Sequence, residues 1–506
     1  MTAEAALPLL LLATSLLPAV VVLALPEHRA LARNVLTLFG AISKVALMAV
    51  ALLGVAQGLT FELRYAVLPD LDLVLRVEEI PLLFLTLSAV LWLLTTVYAI
   101  GYLRGDAHQA RFFGFFNLSV AATMGVGLAG NLFTFLVFFE LLTLSTYPLV
   151  VHKGDTMALA GGRAYLAYAV AGGSTLFLAA VWLHVSVGPV ELVSGGVLAD
   201  HADDHALTLR GVFALLVAGM GVKAALMPLH GWLPRAMVAP APVSALLHAV
   251  AVVKAGAYGI VRVVVDLYGL DTAEDLGLLG PLAALAAITL LLGSARAIGA
   301  DGLKARLAYS TIGQVALVTL GVALGGVVAL VGGLVHLVHQ GIMKVTLFYF
   351  AGSVEQELGV SRVSELAGVG RRMPVAMGGA TVAGLAMIGV PPLAGFVTKW
   401  HLALGGAQDG AWWAPVLLGA STLLTAAYVL PILHTGWFAT PAQAWQASAR
   451  RWEAAPTLLV PLVATAALTL GAGLLAGAPF SPLSWAELVA EAVLVGEQGA
   501  EVGGRP

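Results

Sequence analysis

About fourteen apolar segments, each long enough to cross a lipid bilayer, follow one another along this chain. Inside hydrocarbon every backbone amide needs a partner within the protein, so only helices and closed barrels span membranes. Hydrophobic residues make up 60% of the 506 positions and charged residues only 10%, which excludes a soluble globular domain. We therefore predict an all-α integral membrane protein with about 14 transmembrane helices. Their centres are expected near Leu16, Ala46, Val90, Gly125, Glu140, Phe177, Gly219, Val253, Thr289, Ala316, Leu337, Met387, Ser421 and Ala467.

Several classes of function are excluded by what the sequence lacks. Cysteine is absent, so the chain offers no disulfide, thiolate metal site or iron–sulfur cluster. There is no Walker loop, and glycine-rich runs such as GAGLLAG lie inside apolar segments, which is the wrong context for a Rossmann turn. We expect no cofactor, no metal ion and no nucleic acid as partner. The first apolar run has no basic region before it and is interpreted as a retained helix, with an unusual signal peptide as the alternative.

Lysine and arginine are unevenly distributed between the loops on the two sides of the membrane. One set of loops carries Arg29, Arg33, Arg104, Arg111, Lys153, Arg163, Arg235, Arg296, Lys304, Arg306, Arg362, Arg371, Arg372, Arg450 and Arg451. The other set carries only Arg64, Arg76, Arg210 and Arg505, together with the acidic clusters. Because loops rich in lysine and arginine stay in the cytoplasm, we predict a multi-pass protein of a prokaryotic cell (inner) membrane with both termini outside.

A glutamate and three lysines lie in the middle of apolar segments. They are Glu140 in LVFFELLTL, Lys223 in GMGVKAALMP, Lys254 in HAVAVVKAG and Lys399 in PPLAGFVTKW. A charged side chain at the centre of a membrane helix costs roughly 3 kcal/mol, and such residues usually mark the path of an ion or a proton. The sequence therefore indicates ion or proton transport.

Two of the predicted spans are interrupted by prolines. Pro228 and Pro234 follow Lys223, and Pro391 and Pro392 precede Lys399. A proline inside a helix removes a backbone donor and clashes with the preceding turn, and such breaks survive in membranes where the freed backbone lines a polar cavity. Paired broken helices are typical of inverted-repeat transporters. Two proline kinks without a role are the alternative.

Glu140 and Lys223 are the first candidate pair of the path. A carboxyl group alone in hydrocarbon favours its neutral form, whereas beside a lysine it can stay ionised. A pair that opens and closes would let the lysine give up its proton. A static buried ion pair that holds two helices together is the alternative, although such pairs are poor stabilisers.

Two further segments carry histidines and lysines. His248 and Lys254 lie about 9 Å apart along one helix and on different faces, so a water or a neighbouring side chain would have to bridge them. His336, Gln340 and Lys344 recur at intervals of four and form a polar stripe, with His339 at its edge. A lone membrane histidine is often only an interhelical hydrogen bonder. No metal-binding spacing is present.

Other charged positions have simpler interpretations. Lys399 is near a predicted helix end, so snorkelling to the membrane surface is an alternative to proton transfer. We expect Arg262 to snorkel for the same reason. Lys44 is a further cation within an apolar segment and has no predicted role. The last segment, SPLSWAELVAEAVLVGEQGAEVGGRP, is too short and too acidic to span, and predicts an interfacial helix with a frayed end.

Taken together, these segments resemble the antiporter-like proton-conducting subunits shared by Mrp-type multisubunit cation/proton antiporters, respiratory complex I and membrane-bound hydrogenases. The matching segments, in family order, are FFELLTLSTYPLV, KAALMPLHGWLPRA, APVSALLHAVAVVKAG, LKARLAYSTIGQ, HLVHQGIMKVTLFYFAGS and GVPPLAGFVTKW. The resemblance implies two inverted five-helix repeats containing broken helices. It divides the chain into residues 1–111 (helices 1–3), 112–266 (helices 4–8), 277–438 (helices 9–13) and 455–506 (the last helix and an interfacial tail).

The resemblance also implies roles for individual residues. Glu140 and Lys223 resemble the glutamate–lysine pair of the family, Lys254 resembles its central lysine, and Lys399 resembles its distal lysine. His248 and His336 resemble its relay histidines, and we add His339 and Lys344 to the candidate path. The sequence departs from the family at Gln340, where a second histidine is often found. Because glutamine cannot take a proton, either His339 replaces it or this part of the path relies more on water.

The resemblance is greatest to the D-type subunit of Mrp-type antiporters, since the long lateral helix and appended regions of larger relatives are lacking. It implies a proton-translocating subunit of a multisubunit monovalent cation (Na⁺)/proton antiporter, with other hydrophobic subunits and membrane lipid as partners. A proton-pumping subunit of a complex I-like quinone reductase or membrane-bound hydrogenase is the main alternative, so catalysis by the whole complex stays open. A purely structural membrane subunit and a subunit assisting inorganic-carbon uptake are further alternatives.

Overall fold

The protein is almost entirely helical. The computed structural model describes residues 3–441, 445 and 452–503, with side chains described for these residues except at 3, 4, 248, 249 and 496–503. Within this part of the chain, twelve helices are long and apolar enough to cross a membrane. They are α1 (Ala3–Ala24), α2 (Ala30–Ala56), α3 (Glu79–Tyr102), α4 (Gln109–Leu128), α5 (Leu132–Val150), α6 (Thr156–Val187), α7 (Ala202–Ala224), α12 (Leu279–Gly299), α13 (Leu303–Ala323), α14 (Val327–Leu358), α18 (Trp413–Phe438) and α19 (Pro456–Leu474).

Short helices complete three spans, and two of these spans have no long helix of their own. The seventh span continues from α7 into α8 (Trp232–Arg235), the eighth consists of α9 (Ala241–Ala245) and α10 (Val252–Arg262), and the twelfth of α16 (Pro374–Ile388) and α17 (Ala394–Gln408). Adding the eighth and twelfth spans to the twelve long helices gives fourteen, the predicted number.

The breaks in the seventh and twelfth spans lie where the prolines predicted them. The helix α7 ends at Ala224, and Ala225 then adopts a left-handed conformation with φ of 57°. The helix α16 ends at Ile388, and Gly389 follows with φ of 95°. The eighth span has a third break that was not predicted. Its π-helical turn Leu246–Val250 ends at Ala251, whose φ of −108° and ψ of −84° are not helical.

An antiparallel hairpin, which the sequence analysis did not predict, connects α2 to α3. The strands β1 (Phe61–Leu68) and β2 (Leu71–Val77) pair with Phe61 opposite Val77 and Leu63 opposite Leu75. Arg64 and Arg76 form ion pairs with Glu191 from the segment between α6 and α7. The hairpin is thereby fixed to the end of the bundle where α3 begins.

The centre of the bundle is α14, which packs against α3, α13, α16, α17 and α19. Every residue from Ala329 to Val354 is buried. Gly321 of α13 and Gly333 of α14 let these two helices approach closely, because a Cβ atom at either position would overlap the facing backbone. A helix in this position contacts both halves of the chain, so polar groups on it can connect them.

The remaining helices are short or terminal. They are α11 (Leu270–Asp275), α15 (Val369–Arg372) and α20 (Pro482–Gly503). The predicted C-terminal helix is present as α20, and it packs along α3 and α14 through Trp485, Val489 and Val493. The indole Nε1 of Trp485 donates a hydrogen bond of 3.0 Å to the carbonyl oxygen of Glu79. We also predicted a frayed end for this segment, and its last residues, 504–506, lie outside the described residues.

Candidate functional site

Glu140 and Lys223, the candidate pair, come from α5 and α7, and they interact electrostatically without a direct hydrogen bond between their side chains. The ammonium group of Lys223 donates a hydrogen bond to the carbonyl oxygen of Phe139, the residue before Glu140, and lies 3.4 Å from the centre of the Phe139 ring. The Oε1 atom of Glu140 has no hydrogen-bond partner. Its carboxylate lies against Gly173 of α6, where any side chain would overlap it. The ammonium group of Lys223 therefore binds the backbone of the residue next to Glu140, and the two charged side chains are close neighbours.

Lys254 occupies the first turn of α10, just after the break in the eighth span. Its side chain is fully buried, and its ammonium nitrogen has no hydrogen-bond partner among the side chains that the structure describes. Lys254 is close enough to His336, His339 and Lys344 of α14 to interact with them electrostatically. The backbone of His248 lies in the π-helical turn before the break, but its side chain lies outside the described residues. The break therefore brings the central lysine beside the predicted stripe of α14.

The predicted stripe of α14 is buried in the middle of the bundle. Both ring nitrogens of His336 and both amide atoms of Gln340 are buried without a hydrogen-bond partner. His339 is connected through Nδ1 to the hydroxyl of Thr398, at 3.2 Å. Lys344 donates to the hydroxyl of Ser310 on α13 and, at 3.3 Å, to a backbone carbonyl of the same helix. The stripe thus contacts α17 on one side and α13 on the other.

Lys399 stays inside the bundle and does not snorkel. Its side chain is 9% exposed. Its ammonium group donates a hydrogen bond of 2.7 Å to the carbonyl oxygen of Ile388, the last residue of α16, and one of 2.8 Å to the hydroxyl of Thr422 on α18. A backbone carbonyl freed at a helix break is thus one ligand of this lysine, as expected where a broken membrane helix lines a polar site.

The structure adds a group of polar residues that the sequence analysis missed. Ser421, Thr422, Thr425 and Tyr428 lie on one side of α18, and we call them the hydroxyl face. The amide Nε2 of Gln314 on α13 donates to the hydroxyl of Thr425 at 3.3 Å and to that of Tyr428 at 3.5 Å. Their spacing was the available signal, since positions three, four and seven apart share one side of a helix.

Lys44 and Arg262 are buried cations that stand apart from these residues. Lys44 of α2 is fully buried, donates to the hydroxyl of Ser15 at 2.8 Å and lies 5.0 Å from the centre of the Trp92 ring. Arg262 was expected to snorkel, and this prediction is wrong. Its guanidinium is buried and pairs with the equally buried Asp266, one turn later on the same span. Asp266 supplies a nearby opposite charge, so Arg262 has no need to reach water.

Outside the spans, the clearest electrostatic feature is the anchor of the hairpin at Glu191. Burial opposes its ionisation, but the guanidinium groups of Arg76 and Arg64 outweigh this effect and lower the pKa of Glu191. The described residues include no group of three histidine, aspartate or glutamate side chains arranged to hold a metal ion. The candidate site offers lysine, histidine, glutamate and hydroxyl groups, each of which can bind and release a proton.

Comparison with known proteins gives consistent matches. The family model described as NADH:quinone oxidoreductase/Mrp antiporter, TM, matches residues 129–425. The chain is 37% identical over 360 residues to NADH-quinone oxidoreductase subunit N of Desulforudis audaxviator (strain MP104C), covering 70% of each chain. It is 29% identical over 368 residues to the D-type subunit of the Na(+)/H(+) antiporter of Bacillus subtilis (strain 168), covering 72% of this chain and 73% of that one.

The fold has a solved counterpart. The chain is similar to one in the Mrp complex from Dietzia sp. DQ12-45-1b, with a TM-score of 0.83 and 24% identity, covering 99% of this chain and 98% of that one. At this identity the likeness concerns the fold, and it confirms the predicted helical membrane architecture.

Proposed function

Because the chain belongs to the NADH:quinone oxidoreductase/Mrp antiporter transmembrane family, we propose that it conducts protons as one subunit of a multisubunit monovalent cation/proton antiporter. Its relatives include a Na(+)/H(+) antiporter subunit, which supports Na⁺ as the coupled cation. Other hydrophobic subunits of the complex and membrane lipid are the proposed partners. On this proposal the chain is a transport subunit and not an enzyme by itself.

The observation that carries this proposal is a set of four buried lysines, none of which forms a direct ion pair with a described acidic side chain, although Glu140 interacts electrostatically with Lys223. Lys223, Lys254, Lys344 and Lys399 are each at least nine-tenths buried. Lys223, Lys344 and Lys399 donate to carbonyl or hydroxyl oxygens, and Lys254 has no partner. A buried lysine held only by neutral oxygens can lose its proton without leaving an unpaired carboxylate behind. This arrangement suits proton transfer better than static support.

The proposed relay consists of the predicted site residues. A proton would be taken up near Glu140 and Lys223, pass through His248 and Lys254, and then reach the α14 stripe. Release would follow near Lys399. Buried polar atoms without a protein partner, such as those of Gln340 and His336, are usually satisfied by ordered water. Water along the stripe would connect groups that do not touch, and a charge at one lysine would shift the proton affinity of the next.

We also propose that residues 112–266 and 277–438 are the two repeated units. In each unit the fourth span is the one with the predicted proline break, and a lysine lies beside each break at Lys223 and Lys399. The uneven distribution of lysine and arginine between the loops supports termini on the outer side.

A redox-driven proton pump is the second candidate function. It is favoured by the 37% identity to a NADH-quinone oxidoreductase subunit, which exceeds the 29% identity to the antiporter subunit. The same relay would then be driven by electron transfer in other subunits. Isolation of the native complex in mild detergent, followed by mass spectrometry, separates the two. Small hydrophobic subunits alone indicate an antiporter, whereas flavin, iron–sulfur or nickel–iron subunits indicate a redox pump.

The conduction proposal is tested in the assembled complex reconstituted into liposomes. We expect Glu140→Ala and Lys223→Ala each to abolish cation-driven proton movement, measured with a pH-sensitive dye inside the vesicles. Flux is divided by the amount of assembled complex, because a purely structural role would lower assembly and not flux per complex. Normal flux per complex in both variants would show that the proposal is wrong.

A further inference from the structure

The α14 stripe leaves the step from Lys344 to Lys399 unexplained. Gln340 lies between the histidines and Lys344, and an amide cannot take a proton. His339 contacts Thr398, the neighbour of Lys399, but Lys344 points away from it towards Ser310 on α13. A proton held by Lys344 therefore needs a path that starts at Ser310.

One end of the hydroxyl face of α18 lies near the side chain of Lys344. Ser310, which accepts the hydrogen bond of Lys344, lies one turn before Gln314 on α13, and the amide of Gln314 donates to the hydroxyl of Tyr428 at 3.5 Å. The hydroxyl of Tyr428 donates to that of Thr425 at 3.5 Å. Gln314 donates to both hydroxyls and holds them in place. These contacts connect Lys344 to the middle of α18.

The same face ends at Lys399. Thr422 lies one turn from Thr425 and accepts the 2.8 Å hydrogen bond from the ammonium group of Lys399. The Cβ atoms of residues three positions apart on a helix are about 5–6 Å apart, so the step from Thr425 to Thr422 needs a bridging water. Two polar atoms are available to hold it, since Ser421 Oγ and Gln314 Oε1 are buried without a hydrogen-bond partner.

We propose that protons pass from Lys344 to Lys399 along the hydroxyl face of α18, by way of Ser310, Tyr428, Thr425 and Thr422. This inference rests on the proposed proton conduction. A hydroxyl group both donates and accepts, so each one takes a proton on a lone pair and releases its own to the next oxygen. The N–H bond broken at Lys344 is replaced by one formed at Lys399, and the hydroxyls end unchanged.

Thr425 is the critical position of this path. Its hydroxyl hydrogen is directed at the carbonyl oxygen of Ser421, at 2.7 Å, while its lone pairs face Gln314 and Tyr428. It passes a proton onward when the hydroxyl rotates away from this carbonyl. Gln314 is a positioning residue, because its amide orients both hydroxyls and carries no proton itself.

Interhelical hydrogen bonds of serine and threonine can also serve packing alone, so the variants must separate the two roles. Thr425→Val keeps the shape and removes the hydroxyl, whereas Thr425→Ser keeps the hydroxyl. Tyr428→Phe keeps the ring. The matched control is Thr469→Val on α19, since Thr469 is equally buried and its hydroxyl also bonds a backbone carbonyl of its own helix.

The test is proton flux per assembled complex in liposomes. We expect Thr425→Val and Tyr428→Phe each to lower the flux about tenfold, which corresponds to about 1.4 kcal/mol on the barrier. Thr425→Ser should restore most of it, and Thr469→Val should conduct normally. Normal flux in Thr425→Val overturns the proposal, as does a loss in Thr425→Ser as large as that in Thr425→Val. If Thr425→Val does not assemble, Tyr428→Phe decides by the same criterion.

Lys399→Met in the same assay separates this inference from the proposed function. Normal flux in Lys399→Met would mean that protons do not leave through this lysine and would overturn the path along α18, whereas the conduction proposal fails only if Glu140→Ala and Lys223→Ala both conduct normally. Loss of flux in Lys399→Met with normal flux in Thr425→Val and Tyr428→Phe would overturn only the path along α18.

Discussion

Replacement of Lys254 by methionine should stabilise the protein and at the same time stop proton conduction. The lysine is fully buried and its ammonium group has no hydrogen-bond partner among the described residues, so its removal breaks no hydrogen bond with them. Methionine is flexible and apolar and fills a comparable space. The free energy that a lysine costs at the centre of a membrane helix, about 3 kcal/mol, should therefore appear as added stability.

The expected shift in melting temperature follows from the length of the chain. Unfolding entropy is about 2.1 cal/mol/K per residue, which over 506 residues is about 1.1 kcal/mol/K. Dividing about 3 kcal/mol by this value gives an increase of about 3 °C. Thermal unfolding of the detergent-solubilised complex, followed by tryptophan fluorescence, measures it. Proton flux into liposomes is measured on the same preparation.

Lys44→Met is the matched control. Lys44 is equally buried, but it donates to Ser15 and lies over the Trp92 ring, and it stands apart from the proposed relay. Losing these contacts, worth about 1 kcal/mol each, offsets most of the gain, and the flux should be normal. A lower melting temperature in Lys254→Met would refute the reasoning about an unpartnered lysine. Normal flux in that variant would refute its place in the relay.

Three further outcomes are expected. Gly173→Ala should displace the Glu140 carboxylate and lower flux per complex while assembly stays normal, because the overlapping atoms belong to a flexible side chain. Gln340→His should restore flux in a Thr425→Val background, because the new histidine adds a protonatable group to the α14 stripe. If flux does not recover, the α14 stripe and the hydroxyl face of α18 do not carry the same protons. The lowered pKa of Glu191 means that its ion pairs stabilise the fold above about pH 5 and lose this effect as the pH falls through the folded-state value. The stability difference between Glu191→Gln and the parent, measured by thermal unfolding, should therefore shrink in acid.

The helix breaks that depend on residues of the same helix could be predicted from the sequence. Proline acts on its own helix, so the breaks beside Lys223 and Lys399 could be placed before the structure was known. The break at Ala251 has no proline within its turn, and it lies where the eighth span packs against α7 and α14. The hairpin was missed although FELRYAVL and LDLVLRV are rich in the branched and aromatic residues of strands.

The hydroxyl face of α18 shows why part of the site could not be predicted. A serine or threonine in a membrane helix usually bonds a carbonyl of its own helix, as Thr425 and Thr469 both do. The sequence shows no difference between these two residues. Thr425 belongs to a connected polar path only because Gln314 and Lys399 lie on neighbouring helices. Thr469 has no such neighbours among the described residues and serves packing.

The way in which each charge is neutralised separates static from mobile charges in this protein. Arg262 is paired with Asp266, and arginine does not release its proton in proteins, so this charge is fixed. Lys223 and Lys399 instead donate to backbone carbonyls, which remain neutral when the lysine loses its proton. Loss of a proton from an ion-paired lysine would leave an uncompensated carboxylate in low dielectric, at a cost of several kcal/mol. Lys399, which donates only to neutral oxygens, avoids this barrier, whereas Lys223 keeps the Glu140 carboxylate as an electrostatic neighbour and loses its proton against that charge.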